Sequence, residues 1–309
     1  MKAYRPSKTA HGIAAARAGE SMRPGGERIC HDPYAIHFLG PVYRAIRRIG
    51  PLHDYFRRRN DRQLPGMVGA IVARTRFIDD HLQAAIANGI RQLVILGAGY
   101  DCRAYRFADL AARKIRVFEV DHPATQRFKM RKIAAIFGNL PAHVVYVPIR
   151  FHRQRLADGL FKAGYTEGLR TFFIWEGVSM YLSPEAVDDT LRFMADCSPP
   201  GSEIVFDCFP PDVVDGCSPL TEARTLRRYV ARVGEPLRFG LAPGAVEAFL
   251  QTRGFASVRV VNSADCKALY FNGPDAGRKV SAIFSFVHAT VAGRAGDGMV
   301  EHAVARHDC

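Results

Sequence analysis

The sequence predicts an α/β fold built on a doubly wound, mostly parallel sheet, and three observations predict it. Unalternating apolar runs recur after residue 90; segments with helical spacing separate them; and the runs end at glycines or acids instead of hairpin turns. A strand that is apolar on both sides of its pleat is covered on both faces, as parallel strands are. The domain organisation expected is a helical N-terminal extension over residues 1–90 packed on the core, a Rossmann-like core over 91–209 and 241–292, a lid insertion over 210–240 and a flexible tail over 293–309.

In chain order, residues 1–90 carry helical spacing and few strand signals. Asp32 reads as an N-cap with Pro33 at the first helical position, and apolar residues follow at helical intervals. His31 and His37 stand six apart and do not share a helical face as metal ligands four apart do, so both read as structural and no metal site is expected. The run from Met67 to Leu82 predicts a helix whose apolar faces are interrupted by Arg74 and Arg76. A guanidinium in a buried stretch needs a partner. Arg76 has Asp79 and Asp80 at helical spacing, whereas Arg74 has no carboxylate three or four places away, which makes a ligand carboxylate its candidate partner. Asn88-Gly89 closes the helix.

Leu93-Val94-Ile95-Leu96 then reads as a central strand that stops at Gly97-Ala98-Gly99, where two glycines let the backbone turn and approach a ligand without Cβ interference. In an open α/β sheet, nucleotide-like ligands bind at the carboxyl ends of the strands, where the strand order switches. A dinucleotide fingerprint would place a third glycine at Cys102, and no Gly-Lys-Ser/Thr phosphate signature follows. A second strand over 115–121 ends in Asp121, roughly twenty residues on, where a carboxylate can hold both hydroxyls of a ribose. Loop and acid together predict a nucleoside cofactor and leave S-adenosylmethionine and a nicotinamide dinucleotide equally open.

His122-Pro123 begins a helix to about residue 137, with Lys129, Arg131 and Lys132 on its solvent side and Gly138 at its end. Strands are expected over 144–149, 171–177 and 201–207, with Ser183 and Pro184 capping the helix between the last two. Pro210, Pro211, Gly216 and Pro219, followed by an Arg-rich helix, read as a substrate lid over the carboxyl edge. Residues 258–261 and 280–287 are expected as an antiparallel edge pair, and the Gly- and charge-rich segment from 293 as a loose tail.

Composition bounds the function. The 309 residues are 48% hydrophobic with no strongly biased segment, which suits one elaborated domain. No apolar stretch approaches the roughly 20 residues of a membrane span, and Met1-Lys2-Ala3-Tyr4-Arg5-Pro6 lacks the apolar core of a signal peptide, so a cytoplasmic location is expected. Seven scattered cysteines without a Cys-x-x-Cys pair read as reduced thiols. The net charge of +13 invites a nucleic-acid reading, but the densest run, Arg57-Arg58-Arg59-Asn60-Asp61-Arg62, is short and no nucleic-acid module accompanies it. An anionic small substrate or a solvated basic face accounts for it better.

Four ordered motifs carry a resemblance: Ala73-Arg74-Thr75; Val94-Ile95-Leu96-Gly97-Ala98-Gly99-Tyr100-Asp101-Cys102-Arg103; Phe118-Glu119-Val120-Asp121-His122-Pro123; and Trp175-Glu176-Gly177-Val178-Ser179-Met180-Tyr181-Leu182. With His31-Asp32-Pro33-Tyr34 ahead of them, they resemble the leucine carboxyl methyltransferase-like family of S-adenosylmethionine-dependent enzymes. The resemblance implies a seven-stranded class I methyltransferase core with S-adenosylmethionine as cofactor and S-adenosylhomocysteine as product. It implies that Arg74 holds the carboxylate of the cofactor's methionine part, that Gly97 lines the same moiety with Gly99 nearby, that Asp121 holds the ribose hydroxyls and that Glu176 faces the amino group. Guanidinium with carboxylate is a bidentate pair, and carboxylates accept from hydroxyls and ammonium.

The sequence departs from the family where an acid would accept from adenine's amino group: it reads Ile149-Arg150-Phe151. Arg150 offers donors only, leaving stacking by Arg150, contact by Phe151, or an acid supplied by Asp158. Methyl transfer needs alignment more than a triad, so no catalytic residue is assigned; His37, His152 and Tyr181 are the nearest candidates for a base. The second and fourth motifs are closer to bacterial small-molecule O-methyltransferases than to enzymes acting on a protein C-terminus. The resemblance therefore implies a small-molecule methyl acceptor, with a carboxyl or hydroxyl group on a polyketide-like secondary metabolite. A protein C-terminal carboxylate is the alternative acceptor, and a binding protein that has lost productive cofactor use is the alternative from another class.

Overall fold

The structure is a computed structural model that describes residues 7–150 and 154–293. Phe151 and His152, and the tail from residue 294, lie outside the described residues. The N-terminal region contains the helices α1 (Lys8–Ser21), α2 (Pro41–Arg48), α3 (Gly50–Gln63) and α4 (Met67–Ala87). The core follows as β1 (Gln92–Leu96), α5 (Arg103–Arg106), α6 (Ala108–Ala112), β2 (Arg116–Asp121), α7 (Pro123–Phe137), β3 (Val144–Pro148), α8 (Leu156–Lys162), β4 (Thr171–Trp175), α9 (Pro184–Asp196) and β5 (Glu203–Cys208). It closes with α10 (Pro211–Asp215), α11 (Thr221–Arg232), α12 (Val246–Gln251), β6 (Phe255–Val261), α13 (Ser263–Tyr270) and β7 (Ser285–Val291).

Seven strands form one sheet in the order β3-β2-β1-β4-β5-β7-β6. The first five run parallel, and β7 is antiparallel to both β5 and β6. This is the doubly wound, mostly parallel α/β sheet that the sequence predicts. The order reverses between β1 and β4, so the switch point falls where β1 gives way to Gly97-Ala98-Gly99. Because side chains alternate across a strand, Leu93 and Ile95 face one core with Phe77, Ile78 and Leu82 of α4, while Val94 and Leu96 face another with Phe118, Phe173, Trp175 and Phe206. Both faces are dry, which explains the runs without alternation.

The caps fall where local chemistry places them. Ser183 accepts from the Ala186 N–H with Pro184 at the first turn of α9, His122 does the same for α7, and Gly138 ends that helix at φ 83°. Three expectations are corrected. Lys129 does not face solvent: it is 1% exposed and pairs with Glu119 at 2.9 Å, because the helix turns that position onto β2. The last strand starts at Ser285, and the preceding segment instead ties down the start of α4, with the Ser281 N–H donating to the Gly66 carbonyl. Pro33 begins no α-helix; a short 3-10 turn spans Ala35–Phe38, and Asp32 accepts from the N–H groups of Tyr34 and Ala35.

Candidate active site

A cavity of about 630 Å³ opens at the carboxyl edge of the sheet, and it gathers the ends of β1, β2 and β4 with the start of α1 and the segment after α11. Its floor is the glycine loop. Gly97 has φ 61° and Gly99 φ 44°, left-handed conformations that cost an L-residue about 1–2 kcal/mol. A Cβ on Gly97 would also stand 2.2 Å from Cγ2 of Val178, so the loop is pressed against the chain leaving β4. Lys129 donates to the Ala98 carbonyl at 3.3 Å and holds the loop from below.

Asp121 ends β2 beside this loop. Its carboxylate accepts from the Gly99 N–H at 2.6 Å and from the His122 N–H at 2.5 Å, which fixes both oxygens and leaves each a further lone pair. Burial pushes its pKa up to about 6, opposed by these two donors and by Lys129. Glu176, directly after β4, has the opposite balance: Arg74 and Arg103 outweigh its burial and hold it well below the usual carboxylate range. Its Oε2 accepts from Arg103 Nη1 at 2.7 Å. Its Oε1 lies 3.0 Å from Arg74 Nη2 in a buried ion pair.

Arg74 is 3% exposed and stands behind Glu176 rather than on the cavity wall. Its Nη1 donates to Asp207 at 2.5 Å, and Asp207 in turn accepts from the Gly177 N–H at 2.6 Å. The expected need for a partner holds, but the partners are carboxylates at the ends of β4 and β5. Arg103 completes the layer by donating to Asp79 at 2.7 Å, to Asp101 and to the Thr75 carbonyl. Among the arginines that line the cavity is Arg17 on α1, which donates to Asp32 at 2.9 Å and to the Tyr100 carbonyl at 2.5 Å.

Of the residues expected in the site, Gly97, Gly99, Asp121, Arg150 and Glu176 line the cavity together. Arg150 is exposed at its rim, and its N–H donates to Gln154. Asp158 is exposed on α8 and Tyr181 is on the wall, while His37 is exposed and is not on the wall. Sequence reasoning missed Arg17, Arg103 and Asp207. For Arg17 the local signal misleads: Glu20 stands three places on, yet it pairs with Arg278 and Arg23. For Asp207 the signal was present, an acid closing an apolar strand.

Comparison with known proteins decides the class. A family model described as leucine carboxyl methyltransferase matches residues 10–195. The chain belongs to the leucine carboxyl methyltransferase family. A Mycobacterium avium (strain 104) protein named as an S-adenosyl-L-methionine-dependent methyltransferase is 36% identical over 239 residues, 73% of each chain. The Bacillus subtilis (strain 168) protein YktD, of the same description, is 28% identical over 218 residues, 71% of each. A crystal structure from Thermobifida fusca, named as a methyltransferase, has the same fold, with TM-score 0.58, 15% identity and coverage of 94% and 96%. This family member is an S-adenosylmethionine-dependent methyltransferase.

The residues present fit that cofactor. The cavity volume lies within the roughly 300–1,000 Å³ of small-molecule sites, a buried acid flanks a glycine loop, and Glu176 places a carboxylate, an acceptor suited to an ammonium group, on the wall.

Proposed function

We propose that this enzyme O-methylates a small molecule, with Asp121 receiving the ribose hydroxyls, the Gly97-Ala98-Gly99 backbone and Glu176 receiving the methionine end, and Arg17 meeting its carboxylate. Arg74 then acts indirectly, by holding Glu176 and Asp207. The observation that carries this reading is the single cavity in which glycine loop, Asp121 and Glu176 converge while Ile13, Val178, Tyr181, Leu182 and Arg238 wall the remaining space. That remaining space suits an acceptor with an apolar body and an anionic or hydroxyl group.

The cofactor supplies an activated methyl on a sulfonium. The chain's part is to align the acceptor oxygen and exclude water. A carboxylate acceptor is already ionised and needs no base. Burial pushes the Tyr181 phenol up, so it keeps its proton at neutral pH and serves as a hydrogen-bond donor that orients the acceptor. Arg150 contributes stacking at the adenine end in place of an accepting acid.

Calorimetric titration with S-adenosylhomocysteine tests the cofactor half of this reading: wild type binds and Asp121→Ala loses at least about tenfold in affinity. Incubation of a bacterial extract with methyl-labelled S-adenosylmethionine tests the acceptor half. Label in the solvent-extractable fraction supports a small molecule, and base-labile label confined to protein assigns a protein carboxylate instead.

A further inference from the structure

The chain's positive charge is not spread evenly. Residues 41–63 and 221–232 hold eleven arginines against three acids, and so carry +8 of the chain's +13. The fold brings these stretches together, since α3 packs against both α2 and α11. Arg44, Arg58, Arg59 and Arg62 are exposed on α2 and α3, and Arg224, Arg227, Arg228 and Arg232 on α11. None has a carboxylate partner among the described residues; Arg224, Arg227 and Arg228 donate only to backbone carbonyls. The burial that explains Arg74 and Arg103 does not explain these eight.

Helix α2 also carries aliphatic side chains in water, on the side opposite Arg44. Val42 is 70% exposed and Ile49 53%, at the start and just past the end of α2. Polyanion binding requires only the arginines. Exposed aliphatics on one side of a helix and a guanidinium on the other match a helix that lies in a lipid headgroup layer, with its aliphatics inserted and its charges on phosphates. Guanidinium binds phosphate in a bidentate manner and keeps its charge at any working pH. The face also adjoins the cavity, because α11 leads directly into the segment containing Glu235 and Arg238 that borders it.

We propose that α2, α3 and α11 form a docking face for an anionic lipid bilayer, which brings the cavity rim to the headgroup layer. The attraction is electrostatic and therefore salt-sensitive, and it is completed by the two aliphatics.

Co-sedimentation of the full chain with vesicles tests this, using phosphatidylcholine alone and an equal mixture of phosphatidylcholine and phosphatidylglycerol. The expected result is binding to the mixed vesicles at low salt, loss at high salt and no binding to phosphatidylcholine alone. Arg58→Glu/Arg59→Glu/Arg62→Glu should weaken binding at least about tenfold, and Val42→Asp/Ile49→Asp several-fold. Unchanged thermal unfolding and unchanged S-adenosylhomocysteine binding establish that both variants are folded. Absence of binding to the mixed vesicles at low salt overturns the proposal. So does a Val42→Asp/Ile49→Asp variant that binds these vesicles as well as wild type does, particularly if generic RNA competes for the same face, since the surface would then be a polyelectrolyte patch.

Discussion

Asp121 shows how one side chain sets the chemistry of the site. Its carboxyl is pushed up to about 6 in the free protein, and ribose hydroxyls are best accepted by the ionised form. In the proposed ribose role protonation competes with the cofactor, and the sign follows: affinity is full above about pH 6 and falls as pH drops through it, approaching tenfold per unit. Titrations of S-adenosylhomocysteine between about pH 8 and pH 5 check this; a flat profile would remove Asp121 from the ribose role. Gly97 gives a second test at this scale. Gly97→Ala combines a φ of 61° with a Cβ 2.2 Å from Val178, so it should cost about 2 kcal/mol or more and reduce cofactor affinity. Adding Val178→Ala relieves the contact but not the backbone strain, so denaturant midpoints should recover only in part. These two residues were legible because their signals are local, a glycine turn and an acid at strand ends. Arg17 and Arg103 were not, since Arg17 meets Tyr100 and Arg103 meets Glu176 across sequence distances that no spacing rule reaches.

Elements were legible to the degree that their patterns are self-contained. The buried strands β1, β2, β4 and β5 and the capped helices α7 and α9 follow from unalternating runs and Ser-Pro or His-Pro starts. The final strand was misplaced because residues 280–287 and Ser285–Val291 are both apolar, and only pairing with β5 selects the latter. The role of α1 as a cavity wall had no sequence signal at all. Ser7 and Thr9 at its start donate to Glu235 at 3.3 and 2.8 Å, which clasps the helix to the segment after α11 across the cavity rim. Removing the clasp with Glu235→Ala should cost stability only about 1 kcal/mol yet speed release of S-adenosylhomocysteine several-fold. Stopped-flow displacement distinguishes this from a static role, in which affinity and release stay as in wild type.

At the scale of the molecule, the N-terminal helices are bound into the sheet domain by pairs that span the chain. Glu20 accepts from Arg278 at 2.8 Å, Arg23 pairs with Asp275 at 2.7 Å, and Arg74 pairs with Asp207. Breaking the pair that is buried on both sides, Arg74–Asp207, leaves an uncompensated charge at a cost of about 3–5 kcal/mol, while the two pairs with a partly exposed arginine contribute less. Residues 7–90 therefore have no low-cost way to melt alone, and the chain should unfold in one transition. Its single tryptophan, Trp175, is fully buried in β4 and reports the sheet, whereas far-ultraviolet circular dichroism is weighted to the helices. The two melting curves should coincide. S-adenosylhomocysteine at a hundred times its dissociation constant should move both together, by about 2.7 kcal/mol, because the cavity proposed to hold it draws on α1 and on the ends of β1, β2 and β4 alike. An earlier circular-dichroism transition that leaves Trp175 unchanged would instead mark the N-terminal helices as a separate cooperative unit. A ligand shift seen by Trp175 alone would place the cofactor on the sheet without Arg17.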